Sequence, residues 1–427
     1  MAAGDIVGAN LTDGGSFIEM MKRLQPPAEV KRLWELQYPF LGKVSKSDDF
    51  TGTQMDVPLE HDHNGRSRTY SDAESDRHGS TSVKYNLVRK KDYSVGRIDA
   101  ETMHASRDDK GSWLRALQRE QSNTVKALQK NTAISLYRNY GGSIGRMGSV
   151  VDVDGTNDVL VLENKSDVMN FSFGQKLEFS AADGTSGSVL TGNCWVAKLN
   201  FTLGYIHIAS SLANAIAQTD GNYASIMTGE AETEYIFNNG DWGLSFHGLE
   251  SWIPLTAPSS GEDYLGVDRS VDEVRLAGHR LNDTSMSYEE IVQELAARIQ
   301  YTGGGNLCCM MSPIQVKQFA LELDTKVVRD PGGTGKSGFR GISVDTTAGT
   351  VEVLGDPACP ENRLYMLDMS TWKFHHLLAL PHLVEDDGLA RLRVASADQV
   401  EFRYRLWGNL KCTAPGKNAV AALPTAF

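Results

Sequence analysis

Few residues in this chain have the types and spacing that catalysis or metal binding needs. Residues 331–338 read PGGTGKSG. A phosphate-binding loop needs G-x-x-x-x-G-K-S between a strand and a helix, so that backbone N–H groups and the helix N-terminus face the phosphate. Gly335, Lys336 and Ser337 fit the end of that pattern, but Asp330 stands where its first glycine belongs. The following GFRGISVD reads as a strand, so a glycine-rich loop is expected instead. His61-Asp62-His63 and His375-His376 have no third ligand at metal spacing. The first is expected in a solvated arm, the second beside an apolar run with one imidazole pointing inward. The chain has no Gly-x-Ser-x-Gly elbow and no Cys–His or paired-carboxylate constellation that can be nominated. No catalytic, cofactor-binding or metal residue is assigned, and no cofactor and no enzymatic activity are expected.

The five cysteines, Cys194, Cys308, Cys309, Cys359 and Cys412, are odd in number and match no zinc or disulfide framework. Cys308 and Cys309, adjacent in an apolar run, read as buried small hydrophobes, and the chain as one made in a reducing cytoplasm. The N-terminus MAAGDIVGANLTDGG has neither the charged nor the apolar region of a signal peptide. No apolar run approaches the length of a membrane span, so no membrane partner is expected. The chain's 427 residues exceed one compact core and suit two or three domains. Its net charge of −12 is uneven. The first 147 residues carry 22 Lys+Arg against 19 Asp+Glu, and the remainder 20 against 35. That asymmetry turns the N-terminal third toward an anionic partner.

The elements that would position these residues come in a telling order. Two short helices, around Phe17–Leu24 and Ala28–Gln37, read as an N-terminal arm. Strand-like alternation at 53–59 and 83–103 flanks residues 60–82, which contain no Val, Ile, Leu, Met or Phe. Such a segment cannot repay its ordering entropy by itself. It is expected to be the tip of a long hairpin ordered by a neighbouring molecule. A long helix follows at about 112–140, with Leu114, Leu117, Gln121, Val125, Leu128, Thr132 and Leu136 on one narrow stripe. Arg115, Arg119, Lys126, Lys130 and Arg138 oppose a single acid, Glu120. The block 148–229 then reads as short strands with Gly, Asn and Asp turns, a small β-barrel or sandwich. A stabilising insertion is preferred for it over a sugar-binding module. Ser287 and Glu290 form a capping-box pattern for a helix to Gln300, residues 306–311 read as a buried strand, and Pro313 opens a helix to Leu323.

This order resembles the major capsid proteins of tailed bacteriophages, the Hong Kong 97-type fold. The resemblance rests on the arm 49–104, the helix 112–140, GLESWIPLTAP with YLGVDRSVDEVRLAG in 248–278, FRGISVDTTAGTVEVLGDPACPENRLYMLD, and DQVEFRYRLWGNLKCTAPGKNAVAAL at 398–423. It implies an α+β chain with an N-terminal arm (1–48), an extended E-loop (49–104), a spine helix of the peripheral domain (105–147), an inserted β domain (148–229), a mainly axial segment (230–355) and a peripheral return with the C-terminal strand (356–427).

The resemblance also implies self-assembly into hexamers and pentamers of an icosahedral shell, built in the host bacterial cytoplasm and found in the virion. Separate scaffolding, portal and decoration proteins are the implied partners. Packaged double-stranded DNA would be touched without sequence preference. Arg66, Arg68, Asp72, Glu74, Asp76 and Arg77 are expected to pair between subunits. Arg115, Arg119, Lys126, Lys130 and Arg138 are expected to face the DNA. The alternatives are an encapsulin-type nanocompartment shell protein and a carbohydrate-active or carbohydrate-binding protein that uses the β insertion.

Overall fold

The computed structural model describes residues 38–60, 67–75, 82–99, 110–152, 158–218, 221–228, 233–323, 342–385, 388, 392–393 and 397–424. The N-terminal helices, the His61–His63 run and the glycine-rich run 331–338 lie outside the described residues. The chain divides into two units. The first takes its residues from 1–42, 90–246 and 376–408, the second from 43–89, 247–375 and 409–427.

In the first unit, strand Lys90–Asp99 pairs antiparallel with the Gln399–Gly408 part of the long strand Gln399–Cys412, from Asp99 opposite Gln399 to Lys90 opposite Gly408. Short strands His382–Leu383 and Leu392–Arg393 pair with the same long strand. Asp92, Ser94 and Gly96 of this strand meet the long helix Lys110–Tyr137. Ser94 Oγ donates to the helix carbonyl of Thr124 at 3.0 Å. Gly96 permits close approach: a Cβ there would lie 2.2 Å from the Phe402 ring and 2.6 Å from Thr124 Oγ1. The segment expected to be the second limb of an E-loop therefore leaves the hairpin after Val88. Its alternation of charged and small residues matches the C-terminal strand over ten positions, which outweighs pairing with residues 53–59.

The helix corrects the narrow-stripe reading. Its C-terminal part is buried around most of its girth: Gln121, Thr124, Val125, Leu128, Gln129 and every residue from Thr132 to Tyr137 are buried. Polar residues can go inside because they bond back to the helix. Thr124 Oγ1 donates to Glu120 O at 2.8 Å, Thr132 Oγ1 to Leu128 O at 2.9 Å and Ser135 Oγ to Asn131 O at 2.8 Å. Past the helix, Gly142 takes φ +89 and supports the turn.

The barrel then closes from six strands, Gly145–Asp152, Asp158–Leu162, Lys176–Ser180, Cys194–Asn200, Tyr205–Ala209 and Tyr235–Asn238. Closure removes the unpaired edges that an open sheet of this size would present. Leu160, Leu177, Phe179, Val196, Ile206, Ile208 and Phe237 are fully buried. The block expected at 148–229 omits the closing strand, Tyr235–Asn238, which pairs with both neighbours to complete the ring.

The second unit is built on a six-stranded mixed sheet. Its order is His279–Leu281, Ala419–Ala422, Arg363–Asp368, Leu307–Met311, Gly349–Gly355 and Ile342–Thr346. Leu307–Met311 is buried at every position, as a strand covered on both faces must be. Helix Tyr288–Tyr301 packs Ile291, Leu295 and Ile299 into the core with Cys309, Met311, Phe319 and Leu364. The Ser287–Glu290 capping box forms, and Ser312 caps helix Pro313–Glu322. All five cysteines are free and buried, and burial holds the Cys309 thiol well above its ordinary pKa. His375 is buried and His376 half-buried, the inward imidazole expected of that pair.

Candidate assembly surfaces

The hairpin of the second unit pairs Gln54–Glu60 with Ser82–Val88 in uninterrupted register, from Gln54 opposite Val88 to Glu60 opposite Ser82. Its base is anchored. Tyr85 is fully buried, donates its hydroxyl to Leu276 O at 2.9 Å, and stands edge-on to Trp252 at 5.3 Å between ring centroids. Asn86 N donates to Leu265 O at 2.9 Å, and Asn409 Nδ2 to Val88 O at 2.7 Å. Between the two strands lies a six-residue helix, Tyr70–Ser75, that buries none of its residues. Thr69 Oγ1 donates to Asp72 Oδ2 at 2.6 Å, and Ser75 Oγ to Asp72 O at 2.9 Å. Arg68, Asp72 and Glu74 are exposed, and Tyr70 is 82% exposed. Arg66, Asp76 and Arg77 lie outside the described residues.

Of the five basic residues of the long helix, Lys126, Lys130 and Arg138 have described side chains. Lys126 is exposed. Lys130 is half-buried, donates to Phe171 O at 3.0 Å and to Ser172 Oγ at 3.2 Å, and its pKa is lowered by burial. Arg138, with a side chain only 13% exposed, pairs with buried Asp167 at 2.5 Å. Lys130 and Arg138 are thus engaged inside the unit. A buried guanidinium needs a carboxylate partner, and Asp167 supplies it. The side chains of Arg115 and Arg119 lie outside the described part of the helix.

Sequence reasoning missed the first unit's other charged face. Lys91, Tyr93, Val95 and Arg97 of strand Lys90–Asp99 are exposed. Their partners across the ladder are Trp407, Arg405, Arg403 and Glu401. Lys91 Nζ lies 5.8 Å and Arg405 Cζ 4.5 Å from the Trp407 ring centroid, and Trp407 Nε1 donates to Tyr93 Oη at 3.0 Å. Glu401 pairs with Arg403 and lies 3.4 Å from Arg97 Nε. The signal was present as period-two alternation in KKDYSVGRID and EFRYRLW.

Where strand Lys90–Asp99, the long helix and the barrel meet, a cavity of about 750 Å³ is lined by polar and apolar side chains alike. Asn131 Nδ2 donates to Asp92 Oδ2 at 2.9 Å. Asn238 Nδ2 donates to Asn131 Oδ1 at 3.1 Å and to Asp241 Oδ2 at 2.8 Å, while Gln175 Nε2 donates to Asn238 Oδ1. Burial pushes the Asp92 carboxyl up to about 7 and also raises that of Asp241. Among the described residues no group of three His, Cys, Asp or Glu is placed to hold a metal ion, and no helix is long and apolar enough to cross a membrane.

No protein-family model and no curated protein matches the sequence. Solved structures do. The chain is similar to the cyanophage A-1(L) capsid asymmetric unit at 12% identity and a TM-score of 0.47, covering 90% of this chain and 92% of that one. It is similar to the satellite phage P4 procapsid at 8% identity and a TM-score of 0.42, covering 97% and 100%. It is also similar to the SrpI encapsulin of Synechococcus elongatus at 8% identity and a TM-score of 0.42, covering 98% and 93%. Along at least 90% of its length, then, this chain is similar to chains of phage capsids and of an encapsulin.

Proposed function

We propose that the chain is the major capsid protein of a tailed double-stranded DNA bacteriophage. Copies of it form hexamers and pentamers of a closed shell around the genome. The observation that carries the reading is the hairpin: anchored at its base by Tyr85, it presents a tip helix that buries nothing. A six-residue helix has too few hydrogen bonds to hold itself in water, so its stability must come from packing against a partner. A second copy of the chain is the partner that a homopolymeric shell supplies.

In this reading Arg68, Asp72 and Glu74, together with Arg66, Asp76 and Arg77, pair across the subunit boundary. Each exposed pair contributes about 0–1 kcal/mol, so assembly rests on many weak contacts and responds to salt. The barrel is a stabilising insertion. Contact with DNA is non-specific and falls to the helix cations that remain exposed, Lys126 first, with Arg115 and Arg119 as further candidates. The chemistry is assembly, without a catalytic step.

The test is deletion of residues 62–80. A folded, soluble subunit that forms no shells is expected, and normal shells from the deletion would overturn the reading. The contents of native particles separate this function from its nearest rival. Double-stranded DNA supports a virion, and a protein cargo an encapsulin-type compartment.

A further inference from the structure

We infer that the cavity of the first unit, between strand Lys90–Asp99, the long helix and the barrel, binds a small aliphatic diamine in its doubly charged form. Its volume of about 750 Å³ is far more than a bare metal ion fills. Among the described residues no trio of His, Cys, Asp or Glu stands ready to ligate such an ion. The charged residues in the wall are Asp92, Asp241 and Lys130. Lys130 is already engaged by the Phe171 carbonyl and Ser172 Oγ. Asp92 is held by Asn131, Thr132 and the Tyr93 backbone, and Asp241 by Asn238, all of them uncharged donors. Two carboxyl groups thus share one cavity, and among the described residues no cation is paired with either. A buried carboxyl group without a cation keeps its proton, and a cationic ligand takes that proton's place.

The amides between the two acids set the kind of cation. Asn131 donates to Asp92 and accepts from Asn238, which also donates to Asp241. This ladder holds the acids apart, so one ammonium group reaches one of them and a diamine reaches both. The wall also includes Leu128, Ile134, Ile144 and Phe173, which suit a methylene chain and offer nothing to a hydrated metal ion. Phe173, 55% exposed, adds an aromatic ring against which an ammonium group can lie. The other charged groups at this corner are Glu178, which raises Asp241, and Lys90, which donates to Gly243 O at 3.1 Å. The site belongs to the single subunit and is independent of the shell that subunits build.

Calorimetric titration of the unassembled full-length chain with putrescine, butane-1,4-diamine, tests this. The diamine stays doubly charged from pH 6 to pH 8, whereas Asp92, at about 7 in the empty cavity, must release its proton to pair. Binding should be at least about tenfold weaker at pH 6 than at pH 8, and should release protons into the buffer. Asp92→Asn should weaken binding at pH 8 at least about tenfold and reduce the pH effect to less than about threefold, which separates Asp92 from the neighbouring lysines. Butylamine, with one ammonium group, should bind at least about tenfold more weakly than putrescine. Phe173→Ser, at an exposed position, should weaken binding about threefold. If a thermal melt shows that Asp92→Asn misfolds, the pH dependence of the parent and Phe173→Ser decide.

No binding of putrescine by the parent would overturn the inference, as would binding that Asp92→Asn leaves unchanged, binding that tightens toward pH 6, or equal binding of butylamine. Calcium binding that Asp92→Asn abolishes, with putrescine ignored, would also overturn it and assign the cavity to a metal ion.

Discussion

The tip helix Tyr70–Ser75 and the C-terminal part of the long helix are both polar in sequence, and they use polarity in opposite ways. The tip buries nothing and turns Asp72, Glu74 and Tyr70 outward. The long helix buries Gln121, Thr124, Gln129, Thr132 and Ser135. Its hydroxyl groups are satisfied by carbonyls one turn back, so they enter the interior at little cost. Polar composition alone therefore does not separate a surface that awaits a partner from one that is already inside. What separates them is what lies over each: the polar residues of the long helix are buried, while no residue of the tip helix is.

The contrast can be broken most forcefully at the hairpin's base. Tyr85→Ala removes a fully buried ring and the hydroxyl that holds Leu276 O, and should cost about 4 kcal/mol of stability in denaturant titration. Tyr85→Phe should cost about 1 kcal/mol, the net worth of one buried hydrogen bond.

The polar network beside the long helix should show its cost through pH. The Asp92 carboxyl, raised by burial to about 7, holds a proton in the folded chain that it releases near its ordinary 3.8 when unfolded. That contribution to stability is fully present below about pH 4 and is lost as pH rises through about 7. Asp92→Asn should therefore stabilise the chain by about 2 kcal/mol at pH 8 and change it by no more than about 0.5 kcal/mol at pH 4. Chemical denaturation at the two pH values checks the sign.

Thr132→Val is expected to cost about 1 kcal/mol, because it exchanges a satisfied hydroxyl for a methyl while the Leu128 carbonyl keeps its helical N–H donor. The smallest effect belongs to the tip. Tyr70→Ser should change the stability of the unassembled subunit by less than about 0.5 kcal/mol, since the ring is 82% exposed. The same substitution should weaken assembly, measured by light scattering. A tip that mattered to subunit stability would abolish the contrast.

Much of the architecture was legible because it follows local rules. The Ser287–Glu290 box, the proline at the start of Pro313–Glu322 and the wholly apolar Leu307–Met311 each announce their element. The absence of large aliphatic residues from 60–82 foretold an exposed tip. Non-local pairing was not legible. Nothing local states that Lys90–Asp99 abandons the hairpin for a strand some 300 residues away, or that Tyr235–Asn238 closes the barrel. The local partners of two basic residues were not legible for a related reason. Helical spacing puts Lys130 and Arg138 beside Lys126, but Asp167 and the Phe171 carbonyl come from another segment that claims those two cations.

Imaging of the purified full-length chain by negative-stain electron microscopy, over a range of concentration and salt, tests the central claim most directly. The account predicts closed shells or their hexameric and pentameric precursors, reduced to single subunits when residues 62–80 are deleted. A parent chain that stays monomeric under every condition, or a deletion that assembles as well as the parent, would contradict it.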